Sequence, residues 1–386
     1  MKKLFLSLVM TLMLLFILVM GNSSPAMSAQ QMPLKQINTW FAINPTHLST
    51  HRVMVASDNH IVITRFQSSQ NRHLKLAAIY FKRSSAYDIA ISEILNFYQE
   101  IPANLEIHVY FTDYDEELTQ QILNTLLTDR TELVFSMGSD TTDFLWEIGR
   151  GLDLPFVTVA SKDPVSMGYL EDIDSTSNNN FAFTSLNMPN DIQFVYLEEF
   201  LPRMKNVVIL VNTNNDSAMR TQAIPLQEIA EERGMRVFMV EVDQFNSAAI
   251  DQQFKEGLRK VVEDLRNVNA IPYDTLFWMT GSTILFERYP LVNSIVTDYL
   301  IGSTIPDQTL GPVEETASFG IGVTFDSNGR LAVAYSYKIL FNGIDPGTLP
   351  IGMVIPPDIS INLDHFEQKG ISITFSLLEI ANLVRN

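Results

Sequence analysis

The sequence of 386 residues contains no cysteine. Without cysteine the chain can form no disulfide and offers no thiol nucleophile. It also lacks the acylated N-terminal cysteine that tethers exported bacterial lipoproteins to a membrane. We therefore expect a protein that is free in its compartment.

Basic residues are also scarce. The chain has 26 Lys and Arg against 44 Asp and Glu, which gives a formal net charge of −18. Such a field repels phosphate backbones and anionic lipid headgroups. We expect no nucleic-acid partner and no membrane-surface partner, although a pocket can still be locally positive.

Motifs of enzyme chemistry are missing too: no G-x-S-x-G, P-loop or dinucleotide-binding glycine pattern occurs. His47 and His51 are spaced one helical turn apart, as in some metal sites, but no Glu follows His47. A solvated extension is the favoured interpretation of that pair, and a metal site is the alternative. We expect no catalytic residue, no cofactor, no metal and no enzymatic activity.

The N-terminus has the pattern of a secretory signal. Lys2 and Lys3 precede an apolar run over residues 4–20, and small residues follow up to position 29. Residues 1–28 are therefore predicted to be a cleaved signal peptide, with an uncleaved membrane anchor as the alternative. Because no lipid anchor is available, a soluble exported protein of this kind points to the periplasm. Residues 29–70 are interpreted as an N-terminal extension with strands at 52–56 and 61–66.

From residue 74 onward, apolar strands alternate with amphipathic helices. Strands are predicted at 74–81, 105–111, 133–136 and 155–160, with helices between them, and the pattern restarts at a strand over 206–211. Alternation of this kind predicts an α/β fold with parallel sheets covered on both faces. The length exceeds what one core usually supports, so we expect two doubly wound lobes.

Two stretches of the chain are alike. The strand at 133–136 leads into Gly138-Ser139-Asp140, and the strand at 275–279 leads into Gly281-Ser282-Thr283, each followed by a helical pattern. Helix starts present unpaired N–H groups, and ligands of open α/β sheets lie beyond the carboxyl ends of the strands. The repeat predicts two lobes that face one small polar or anionic ligand.

The strand-end rule selects candidate ligand-binding residues in both halves. In the first half they are Ser84, Ser85, Gly138, Ser139, Asp140, Thr141 and Ser161, and in the second Asn212, Asn214, Ser217, Thr280, Gly281 and Ser282. Hydroxyls and helix-start N–H groups suit a carboxylate, and Asp140 or Asp163 would suit an ammonium group. For any one of these residues, simple helix capping is the favoured role, whereas for the collection we favour a common cleft. Trp278, Phe144 and Tyr87 are candidate apolar walls, but a core position is the favoured interpretation for Trp278 and Phe144.

The stretch 154–165, LPFVTVASKDPV, resembles a signature of periplasmic substrate-binding proteins of ABC transporters, the type I binding-fold family with aromatic amino-acid binding members. The tail 343–371, with Pro346-Gly347, Ile361-Asn362 and Gly370-Ile371, is similar to the end of those proteins. The resemblance covers about residues 74–374. It implies two lobes joined by a three-strand hinge, the first combining 71–184 with 319–346 and the second 185–318 with 347–386.

The resemblance also implies a function. We expect a monomeric, soluble periplasmic protein that captures a small organic ligand, an amino acid or related carboxylate, by hinge closure and delivers it to an inner-membrane ABC permease. The alternative is a sensor whose closed form engages a membrane signalling receptor.

Overall fold

The computed structural model describes residues 41–65, 72–243 and 247–385. The predicted signal peptide and the first part of the predicted extension lie outside these residues. None of the helices described is both long and apolar enough to cross a membrane.

The first lobe is built on a seven-stranded sheet of order β1-β2-β4-β3-β5-β6-β7. Its strands are β1 Arg52–Ser57, β2 His60–Arg65, β3 His73–Tyr80, β4 Asn104–Phe111, β5 Leu133–Met137, β6 Phe156–Val159 and β7 Phe181–Ala182. The strands from β3 to β7 run parallel, while β2 is antiparallel to both β1 and β4. The helices that follow three of these strands are α1 Ser85–Glu100, α2 Glu116–Thr128 and α3 Ser139–Gly149. Apolar residues of the strands and helices bury one another, as parallel sheets require.

The second lobe is built on another seven-stranded sheet, of order β14-β13-β12-β11-β10-β8-β9. Its strands are β8 Asn206–Asn212, β9 Arg236–Val242, β10 Thr275–Met279, β11 Leu300–Ser303, β12 Phe319–Gly322, β13 Asp358–Asn362 and β14 Leu383–Arg385. All neighbours are parallel except β12 and β13. Its helices are α4 Asn190–Phe200, α5 Asp216–Ala218, α6 Ile224–Glu232, α7 Ser247–Asn267, α8 Thr283–Phe286, α9 Tyr289–Ile295, α11 Leu363–Lys369 and α12 Phe375–Ile380.

The chain passes between the two lobes three times. It crosses after β7, crosses back after β12 into α10 Phe325–Asn342, and returns to β13. Helix α10 belongs to the first lobe because Ala332, Val333 and Ile339 are buried in that lobe's core. Two of the crossings touch, since Thr184 and Gly352 form a parallel bridge. The predicted fold class, two doubly wound α/β lobes joined by a three-strand hinge, is confirmed.

The positions of the crossings differ from the predicted boundaries. Strand β12 pairs with β11 and β13, so residues 319–322 extend the second sheet rather than the first lobe. Gly347 packs against the backbone of Asn179, and Gly352 bonds to Phe183, which keeps residues 347–352 beside the first lobe. The apolar pattern of a short strand does not show which sheet the strand joins. Boundaries between lobes that are drawn from such patterns are therefore easily misplaced.

The predicted extension is integrated into the first lobe. Strands β1 and β2, expected at 52–56 and 61–66, form a hairpin at the edge of the first sheet. His47 and His51 are buried rather than solvated, and their rings meet edge to face at 5.8 Å. Burial lowers the pKa of His51 to about 4, so the imidazole is neutral at physiological pH. The expectation of a solvated extension is wrong for this pair.

Candidate functional site

A cleft lies between the lobes, at the carboxyl ends of strands from both sheets. Its walls come from the loops after β3, β5, β6, β8, β10 and β11, from the first crossing, and from the start of α10. The lining residues are Lys82, Ser84, Ser85, Ala86, Tyr87, Ser139, Asp140, Ala160, Lys162, Leu186, Asn215, Ser217, Gly281, Ser282, Thr283, Phe286, Ile305 and Phe325. This is the place where the topology of doubly wound sheets puts ligands.

The start of helix α1 forms one wall of the cleft. Ser84 is its N-cap, with an extended backbone and a side chain that accepts a hydrogen bond from the Ala86 amide at 3.3 Å. The same hydroxyl lies 3.5 Å from the Thr283 hydroxyl of the second lobe. Ser84 therefore caps a helix and also touches the opposite wall.

The turn after β5 depends on a glycine. Gly138 has a φ of +84°, and an added Cβ would overlap the Tyr87 hydroxyl. A side chain at position 138 would meet both backbone strain and a clash. The turn places Ser139 so that its hydroxyl accepts a hydrogen bond from the Lys162 amide at 3.0 Å, which ties the β5 loop to the β6 loop.

Asp140 is engaged by its own lobe. Its Oδ2 accepts hydrogen bonds from the Lys82 ammonium at 2.6 Å and from the Tyr114 hydroxyl at 2.7 Å. Burial opposes ionisation of this carboxyl, but the charge and hydrogen bond of Lys82, with the bond from Tyr114, outweigh it and hold the pKa of Asp140 below its usual value. Asp140 and Lys82 thus form an ion pair within one wall.

Lys162 brings an unpaired amino group to the cleft. The residue is 6% exposed, and its Nζ has no hydrogen-bond partner among the residues described. The ammonium reaches the second lobe, where an added Cβ at Gly281 would overlap it. Burial, and next the charge of Lys82, lower the pKa of Lys162 to about 7.

The opposite wall carries no charged side chain and combines polar groups with the apolar Phe286. Asn215 caps α5 by accepting a hydrogen bond from the Ala218 amide at 3.2 Å, and Ser217 donates to the same side-chain oxygen at 2.9 Å. The Gly281 amide donates to the Gln222 side chain at 2.6 Å. Gln222 lies in a π-helical turn, Met219–Ala223, a distortion that is often found at functional sites.

Seven of the residues selected by the strand-end rule line the cleft: Ser84, Ser85, Ser139, Asp140, Ser217, Gly281 and Ser282. The structure brings these together from both lobes. Their contact with a ligand remains a prediction.

The other six selected residues are not part of the lining: Gly138, Thr141, Ser161, Asn212, Asn214 and Thr280. Three of these side chains bond to backbone or neighbouring groups instead, since Thr141 accepts from the Phe81 amide, Thr280 donates to the Leu210 carbonyl and Asn214 donates to Asp243. Asn212 accepts from the Asn214 amide, Gly138 shapes the turn, and Ser161 is buried beside the lining. These residues organise the loops.

Sequence reasoning missed the most distinctive member of the site. Lys162 directly follows the selected Ser161, but lysine is normally exposed, so the residue type alone does not suggest a buried position. The loop residue Ile305 and the helix-start residue Phe325 were also missed, although both follow strand ends. Among the candidate apolar walls, Tyr87 lines the cleft and Trp278 is buried in the core of the second lobe. Phe144 lines an adjacent groove with Phe81 and Tyr114.

Over the part of the chain that the structure describes, no three His, Cys, Asp or Glu side chains gather in an arrangement that could hold a metal ion.

Comparisons with known proteins agree with this geometry. Residues 98–263 match the family described as ABC transporter substrate binding protein. No curated protein matches the chain. A Streptococcus pneumoniae ABC domain in complex with L-Trp is 17% identical with a TM-score of 0.62, covering 80% of this chain and 99% of that one.

Two further solved structures share the fold. The open, ligand-free substrate-binding protein CD0873 of Clostridium difficile is 19% identical with a TM-score of 0.61, covering 82% of this chain and 99% of that one. A conserved domain protein of Vibrio cholerae is 18% identical with a TM-score of 0.60, covering 81% and 99%. The resemblance on which the predictions depended is confirmed.

Proposed function

We propose that this chain, recognised as a protein of the ABC transporter substrate-binding family, is the periplasmic solute-binding component of an importer. It captures an amino acid or a related carboxylate between its lobes and delivers it to an inner-membrane permease. The observation that carries the proposal is the cleft at the strand ends, where hydroxyls and a buried ammonium face an apolar wall.

The lining of the cleft is suited to a small amphipathic molecule. Ser84, Ser139 and Ser282 supply hydroxyls, while Leu186, Phe286 and Phe325 supply apolar surface. A few convergent polar groups in a largely apolar concavity are typical of small-molecule sites. Micromolar affinity corresponds to about −8 kcal/mol, which such a set of desolvated contacts can supply.

Closure of the lobes would proceed about the three crossings. Two places where the walls approach each other are the Ser84 and Thr283 hydroxyls, 3.5 Å apart, and the Lys162 ammonium beside Gly281. Opening would separate these pairs and expose the cleft, as in other hinged binding proteins. Closure changes the surface that the two lobes present, and this difference would allow a permease to distinguish the closed form from the open form.

The class of ligand and the compartment rest on separate arguments. A structural neighbour was solved with L-Trp, which favours an amino acid. The basic and then apolar start of the sequence favours export. The protein acts by binding, without covalent chemistry.

Ligand screening tests the proposal. Thermal unfolding of the purified protein is measured with each of the amino acids and a set of small carboxylates, followed by calorimetry on those that raise the melting temperature. We expect at least one to bind with micromolar affinity.

A matched pair of variants locates the binding. Ser85 is exposed at the cleft, so Ser85→Trp should obstruct it and weaken binding at least tenfold. Ser294 is an exposed serine on α9, remote from the cleft lining, and Ser294→Trp should leave binding unchanged. The absence of any ligand at millimolar concentration would refute a solute-binding role.

A further inference from the structure

The ammonium group of Lys162 is the least satisfied charge at the cleft. Its Nζ is buried without a hydrogen-bond partner among the residues described, and it points to the backbone of Gly281 across the cleft. A buried cation without a partner is costly, and proteins tolerate one mainly where a partner arrives later. The structure therefore presents a buried hydrogen-bond donor, the Lys162 ammonium, that has no acceptor among the residues described.

The groups that face Lys162 do not compensate it. From the first lobe, Lys82 repels it, Asp140 is bound to Lys82 and Tyr114, and burial keeps Tyr87 neutral by raising its pKa. From the second lobe, Gly281 and Gln222 lie beside it, and neither carries a charge. With Lys162 protonated, the ionic groups that line the cleft have a net charge of +1, from Lys82, Asp140 and Lys162.

The same arrangement offers little to a cation. Asp140 is the one carboxylate among the described residues that line the cleft, and its partner ammonium lies 2.6 Å away. An incoming ammonium group would meet Lys82 at that place. An incoming carboxylate would meet an unpaired Lys162 and the hydroxyls around it. A hydrogen bond between an ammonium and a carboxylate is stronger than one between neutral groups.

We propose that the ligand is recognised by its carboxylate, which binds the Lys162 ammonium and bridges it to the second lobe, and that no ammonium group on the ligand is required. The ligand class is thus a monocarboxylate with an apolar body, for which Leu186, Ile305 and Phe325 form the wall. This inference rests on the proposed solute-binding function and narrows it.

Binding of such an anion is coupled to a proton. Lys162 titrates at about 7 in the ligand-free protein, so at pH 8 it is mostly neutral. A bound carboxylate favours the charged form and raises that pKa, so the protein takes up close to one proton as the ligand binds. The affinity is constant between about pH 5 and pH 7, where the ligand is ionised and Lys162 is protonated, and it falls by up to tenfold for each pH unit above 7.

Matched pairs of probes test the recognised group. Calorimetry compares 3-phenylpropionate, 3-indolepropionate and hexanoate with their amides, and with L-phenylalanine, L-tryptophan and L-leucine. We expect at least one carboxylate to bind at least thirtyfold more tightly than its amide and no more weakly than its amino acid. Titration at pH 8 in two buffers of different ionisation enthalpy should give an uptake near one proton.

Two lysine variants test the residue. Lys162→Met keeps the length of the side chain and removes the buried charge, so it should fold and lose at least thirtyfold in affinity for the carboxylate. Lys260→Met changes an exposed lysine of α7 and should bind as the parent protein does.

The outcomes separate this inference from the function on which it rests. Equal affinity of amide and carboxylate, unchanged affinity in Lys162→Met, or no proton uptake at pH 8 would overturn the role of Lys162. In each of those cases the protein still binds a solute, and the proposed function stands. If the unmodified protein binds neither these probes nor any screened solute, both proposals fall.

Discussion

The two turns after β5 and β10 share a Gly-Ser pair, but the two pairs have different roles in the structure. Gly138 has a positive φ, and the Tyr87 ring of its own lobe fills the space where a side chain would be. Gly281 needs no positive φ, and its side-chain space is filled by the Lys162 ammonium of the other lobe. Gly138 is therefore needed for the turn within its own lobe. Gly281 instead leaves room for the Lys162 side chain of the other lobe.

The serines that follow also differ. Ser139 begins a helix of 11 residues and holds the Lys162 amide through its hydroxyl. Ser282 precedes a helix of only 4 residues, and its side chain makes no capping hydrogen bond. Similar sequence thus produces a similar position at the sheet edge and a different local role at each copy.

Alanine at the two glycines provides the largest contrast. We expect Gly138→Ala to reduce the free energy of unfolding by about 3 kcal/mol, because strain at positive φ adds to the overlap with Tyr87. Gly281→Ala meets the flexible end of Lys162 and the side-chain amide of Gln222, and should cost under about 0.5 kcal/mol while weakening ligand binding. Urea denaturation of both variants measures this, and equal losses of stability would contradict the distinction.

The lysine that fills the space at Gly281 should make stability depend on pH. Lys162 titrates at about 7 in the folded protein and near 10.5 when unfolded. Between these values the unfolded chain binds more protons, so stability rises with pH, and below pH 7 the full cost of the buried charge is present. From pH 6 to pH 9 we expect a gain of about 2.7 kcal/mol relative to Lys162→Met, which lacks this titration.

Denaturant unfolding of both proteins at the two pH values isolates this contribution, because every other group titrates alike in each. Parallel pH profiles for the parent and Lys162→Met would show that Lys162 keeps an ordinary pKa.

The smallest contrast concerns the serines. Ser139→Ala removes the acceptor of a buried amide and should cost about 1.5 kcal/mol. Ser282→Ala removes no capping bond and should cost under about 0.5 kcal/mol. Thermal unfolding of the two variants checks the order, and a larger loss for Ser282→Ala would reverse our assignment of the two turns.

Sequence reasoning placed the candidate residues at the edge of the sheets where the cleft lies, but it could not tell which of their side chains line that cleft. The strand-end rule is geometric, so it located Ser84, Ser139 and Ser282 without knowledge of packing. It could not separate them from Thr141 or Thr280, whose hydroxyls turn to nearby backbone groups. Which way a short polar side chain points depends on neighbours that are distant in sequence.

Periodic patterns of apolar residues were sufficient for the α/β class, the two halves and the edge where their loops meet, because these follow from local backbone preference and from burial of one face. Three-dimensional packing was needed to join β1, β2 and β12 to their sheets, since any short apolar strand can pair with several partners. It was needed above all for Lys162, a residue type that is ordinarily solvated. That residue is 6% exposed, and its ammonium lies beside Gly281 of the other lobe.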